Sequence, residues 1–145
     1  MRSSLFIVLL VIFSCNHPQP KPTGTTLLPW NTQLEQVMSI HDEVMPFTSE
    51  IVKLNKVLKS YEASHPNLSK DTKTRLNAVQ KQLTHAEESM WDWMHGFVQP
   101  NEKDDPKKVG IYLSNEQKKI QAVSQQMKQS MKSAKELISD LKIQQ

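Results

Sequence analysis

Histidine and methionine gather in two stretches of the chain, His41-Asp42-Glu43-Val44-Met45-Pro46 and Met90-Trp91-Asp92-Trp93-Met94-His95. Imidazole and thioether groups together suit a soft ion such as Cu(I) in an oxidising compartment. Helical spacing lets His41, Met45 and Met94 meet, whereas Met90 falls in an apolar stripe and Met38 on the outer side of its helix. Thioether ligands have no diagnostic spacing, and a competing account needs no metal. In that account methionine fills irregular space beside a kink, and His41 bonds a carbonyl that the kink frees. Other chemistry lacks its parts. Asp42 and Glu43 are adjacent, so on a helix they diverge by about 100° and cannot serve one substrate. The three glycines form no phosphate-cradling loop, and Ser69 and Ser114 read as helix caps. The expectation is a non-catalytic protein without a cofactor, with copper binding through His41, Met45 and Met94 as the alternative.

Cys15 is the only cysteine, so an internal disulfide is impossible, and its position suggests another use. It follows Arg2 and the nine apolar residues Leu5 to Phe13. Nine residues at ~1.5 Å each fall far short of a ~30 Å hydrocarbon core. This is the layout of a signal peptide over residues 1–14. Ile12-Phe13-Ser14-Cys15 resembles the lipobox of bacterial lipoproteins, which implies that Cys15 becomes the acylated first residue of the mature chain. Two or three acyl chains suffice for stable anchoring, where one is marginal. Residues 15–31 then form a tether. Four of the eight prolines lie between Asn16 and Pro29, mostly at alternate positions, a pattern that favours extended, solvated backbone.

Beyond the tether, residues 32–143 contain two glycines and four prolines, and apolar residues recur at three- and four-residue steps. The period is helical. A first run steps through Val37, Ile40, Val44, Phe47, Ile51, Leu54, Leu58 and Tyr61, with Thr32 and Glu35 as a capping box. Pro66 ends it, and Pro46 interrupts its interior. A second run, capped by Ser69 and led by Asp71, carries Leu76, Val79, Leu83, Ala86, Met90, Trp93 and Phe97, and stops around Gly96 and Pro100. The third is expected from Ser114, with Gln117 completing a capping box, through Ile120, Val123, Met127, Ala134, Leu137 and Leu141. Three capped runs separated by proline-bearing turns predict an all-α, elongated, antiparallel three-helix bundle with a first helix kinked at Pro46.

Folding the first hairpin about Asn67 brings the kink opposite residue 93. Trp93 then points inward, while Trp91, turned by about 200°, is either covered by the 99–113 segment or exposed. The candidate partner surface is Trp91, Met94, His95, His41 and Glu43. Lys128, Lys132 and Lys135 make a basic edge on the third helix, but that helix offers no aromatic for stacking on bases, so nucleic acid is excluded. The net charge of +3 is a small lysine surplus and names no acidic partner.

The two motifs together are similar to those of small uncharacterised lipoproteins of Bacteroidota, some of which carry the label "viral A-type inclusion protein". The resemblance implies a lipoprotein of the outer membrane with no assigned activity. No acidic run follows Cys15, which points to the periplasmic side. The expected partner is an envelope protein or cell-wall component, reached from the membrane.

Overall fold

The computed structural model describes residues 28–143. The expected signal peptide, Cys15 and most of the expected tether lie outside the described residues. Four helical segments occur in order: α1 (Asn31–Val44), α2 (Phe47–Ser64), α3 (Lys70–Gly96) and α4 (Pro106–Asp140). The first two are one helix with a bend, because Met45 and Pro46 keep right-handed helical dihedrals, with φ of −54° and −60°. The fold is thus an all-helical bundle of three helices with the first one bent, as the periodicity predicts.

The bend has a local cause and a local remedy. Pro46 has no N–H to offer the Asp42 carbonyl, and its ring crowds that turn. The chain resumes its hydrogen bonds at once through Thr48, whose N–H and hydroxyl both donate to the Met45 carbonyl, at 3.2 and 2.8 Å. Thr48 is buried. His41 does not take the freed carbonyl; its Nδ1 lies 2.8 Å from the Asp42 carboxylate instead.

α4 is the organising helix. Its 35 residues span ~52 Å, longer than the expected third run. It packs against α1, α2 and α3, and the only substantial interface without it is that between α2 and α3. Hence its apolar stripe is wide: Val109, Leu113, Ile120, Val123, Met127, Met131, Ala134, Leu137 and Ile138 are all buried. α1 and α2 run parallel to α4, tied by Glu43–Lys128 and Glu50–Lys135, each 2.6 Å. α3 runs antiparallel, closed at its start by Arg75–Asp140 at 2.6 Å.

Two helix starts differ from expectation. α4 begins at Pro106, not at Ser114, which is exposed in its interior. The Asp105 carboxylate accepts from the N–H groups of Lys107 and Lys108, at 2.9 and 3.4 Å. Pro106 follows at the one helical position where a missing N–H costs nothing. This start signal lies upstream of the Ser114/Gln117 box, and Val109 and Leu113 extend the stripe back to it. Asp105→Ala should therefore cost about 1 kcal/mol, read as a lowered urea midpoint with an unchanged slope, whereas Ser114→Ala should be close to neutral.

At the other end of the chain, Thr32 does not cap α1. The residue before the helix is Trp30, without a side-chain cap bond and only 4 % exposed. Leu28 also packs on the core, so the body includes residues that precede position 32. By contrast, Ser69 caps α3 as expected, its hydroxyl accepting from the Thr72 N–H at 3.1 Å.

Candidate functional site

The bend redirects α1 onto α4, and its backbone keeps its distance from α3. Large rings fill the gap. His41 lies over Trp93 with ring centroids 5.6 Å apart, Trp93 over Phe97 at 5.0 Å, and Phe97 over Tyr112 at 6.0 Å. This row joins α1, α3, the α3–α4 loop and α4. Its far end is pinned by the Tyr112 hydroxyl, which accepts the Val98 N–H at 2.7 Å. The pairing of residue 41 with residue 93 is the one the hairpin geometry predicts.

The residues of the candidate surface separate onto different faces. His41 is mostly buried, with its side chain 15 % exposed. Glu43, two positions on and so about 200° around the helix, turns to α4 and pairs with Lys128. Met45 and Met94 are partly buried and pack against the core. Trp91 is 40 % exposed and His95 is exposed; their i,i+4 spacing puts them on one outer face of α3. The 99–113 segment therefore leaves much of the Trp91 ring open. Among the described residues, no three His, Cys, Asp or Glu side chains are grouped to hold a metal ion.

A cleft of about 330 Å³ opens between α3 and α4 beside this patch, lined by Ser89, Asp92, Trp93, Glu116 and Lys119 among others. Glu116 is 3 % exposed and accepts from Lys119 at 2.7 Å. That hydrogen bond, with the attraction between the charges, raises the Lys119 ammonium above its ordinary pKa. The pair's contribution is present at neutral pH, below the unfolded lysine value, and fades only as alkaline pH carries Lys119 through its raised one. Trp93 Nε1 is buried and has no hydrogen-bond partner among the described residues.

The basic edge of the third run is an interhelical zipper. Lys128 and Lys135 reach Glu43 and Glu50 across the groove, and Lys132 lies 3.9 Å from Glu136 along α4. These exposed pairs contribute roughly 0.2–1 kcal/mol each, and they leave no free cationic strip. Sequence reasoning missed Trp30, Glu116 and Tyr112. Glu116 was in principle legible, since it lies three residues from Leu113 and four from Ile120, on the buried side of α4.

The patch is also lower on the bundle than the helix order alone implies. His41 is ten residues into α1, so it and Trp93 sit ~15 Å below the end at which the chain enters. No family model, curated protein or solved structure matches this chain.

Proposed function

We propose that the protein is a lipid-anchored component of the bacterial cell envelope, held in the outer membrane through Cys15 and facing the periplasm, whose helical bundle is a non-catalytic binding or scaffolding module. This reading is supported above all by Trp91. A tryptophan 40 % exposed on a rigid helix, beside His95 and outside the ring-packed row, has the character of an interface anchor, because such rings supply much contact area at little conformational cost. The partner class that fits is an envelope protein or cell-wall component within reach of a tethered body. The arrangement offers a surface that a partner could cover.

The test is cross-linking in intact envelopes. Trp91→Ala should lose the captured partners while costing only about 1 kcal/mol of stability, as its thermal midpoint will show. Capture of the same partners by the wild type and by a folded Trp91→Ala variant overturns the proposal.

A further inference from the structure

Exposed large apolar side chains are few among the described residues: Val52, Trp91, Val98 and Ile111. The two most exposed, Val98 at 69 % and Ile111 at 67 %, share one place. The Val98 N–H bonds the Tyr112 hydroxyl, which sets Val98 beside the second turn of α4, the turn that also carries Ile111. Gly110 in turn lies level with Gln33, a Cβ built on it coming within 3.5 Å of that side chain. Both residues therefore stand at the end of the bundle where α1 and α4 begin. This is also where the chain enters the body, since Leu28 and Trp30 pack there.

We infer that this end of the bundle seats on the bilayer that holds the anchor, with Val98 and Ile111 entering the interfacial region. The inference rests on the reading of Cys15 as lipidated. An apolar groove of about 460 Å³ adjoins Val98, lined by Pro100, Val109 and Tyr112 and edged by Lys103, Lys108, Asp104 and Asp105. Apolar side chains inside a rim of balanced charge suit the boundary between acyl chains and zwitterionic headgroups.

Reach and charge agree with a lipid occupant. The thirteen steps from Cys15 to Leu28 can span at most ~40 Å at ~3.1 Å per residue. Such a short link gives the end an effective concentration in the millimolar range at its own membrane, enough to populate a contact too weak for a free domain. Lys103, Lys107 and Lys108 are balanced by Glu102, Asp104 and Asp105, so the seat does not depend on anionic lipid. Trp91, three turns lower, remains clear of the surface and open to a periplasmic partner.

The acylated full-length protein tests this, because acylation of Cys15 leaves an introduced cysteine as the sole free thiol. Val98→Cys, Ile111→Cys and, as the control, Val52→Cys are labelled with an environment-sensitive fluorophore. Each is then reconstituted in phosphatidylcholine vesicles, with and without a third of phosphatidylglycerol. The expected result is a blue shift and several-fold brightening at positions 98 and 111 in both lipids, lost with brominated lipid, while position 52 stays aqueous. If the protein co-floats with vesicles and position 98 is as wet as position 52, the inference falls alone. Failure to co-float removes the anchor reading and the inference together. Brightening confined to phosphatidylglycerol, or found only in native envelopes and not in vesicles, overturns the apolar seat in favour of charge or of a protein cover.

Discussion

Trp30→Ala lowers the unfolding free energy by about 3–5 kcal/mol, the usual cost of emptying a buried aromatic site. That is a large part of the 5–15 kcal/mol available to a typical domain, taken as an order of magnitude. The effect is large because Trp30 is 4 % exposed and fills the end of the core where α1 and α4 begin. Its carbonyl also accepts the Leu34 N–H, at 3.0 Å, in the first helical turn. Urea titration gives the difference directly, and a pair of truncations localises it. A chain starting at residue 28 should unfold like the longer protein, and one starting at residue 32 should be several kcal/mol weaker. Equal midpoints for the two truncations would show that the body begins where the apolar periodicity begins, without Trp30.

Cys15→Ser has the other large effect, and it is on location. With the sulfur gone, no thioether to a diacylglyceryl group can form, and a chain with no acyl group keeps none of the affinity that each buried methylene adds, ~0.8 kcal/mol apiece. Metabolic labelling with palmitate should fall to background, and the protein should move from the detergent-rich to the aqueous phase on detergent partition. The bundle itself should be untouched, with an unchanged circular dichroism spectrum and thermal midpoint. Continued palmitate incorporation by the serine variant would remove Cys15 as the acceptor. Retention in the membrane fraction with no label would instead mark the apolar Leu5–Phe13 stretch as an uncleaved anchor.

Much of the fold was legible, for definite physical reasons. A period near 3.6 survives in the seam residues of all three runs, so Val37, Val44, Ile51, Leu58, Leu76, Leu83, Met90, Ile120 and Met127 are buried as predicted. Pro66 and Ser69 punctuate strongly, and the first turn falls where they put it. Helix starts were harder, because a start is a competition between local signals and tertiary packing. Asp105-Pro106 outcompetes Ser114, and the burial of Trp30 overrides the Thr32/Glu35 box.

The candidate patch was legible in part. Heptad register predicted that residue 41 meets residue 93 and that Trp91 points away from Trp93. It did not reveal that α1 leans onto α4, which turns Glu43 toward Lys128 and away from His41. That lean depends on the direction of the Pro46 bend, a property of three-dimensional packing that no one-dimensional pattern carries. Tyr112 and the closing of the aromatic row were hidden for a similar reason, since the loop that returns them has no period.

The dominance of α4 has a consequence for how such a chain matures. Apart from the α2–α3 contact, every substantial interface is completed by the last helix of the sequence. The segments that emerge first can pair only weakly, through a single hairpin, and the core cannot close until Ile120, Met127, Ala134 and Leu137 arrive. A protein that crosses a membrane before folding benefits from that order. For a chain exported as proposed, late arrival of α4 would keep it threadable during translocation, the core closing only after that helix has emerged, at the hairpin-then-docking pace of a small helical domain.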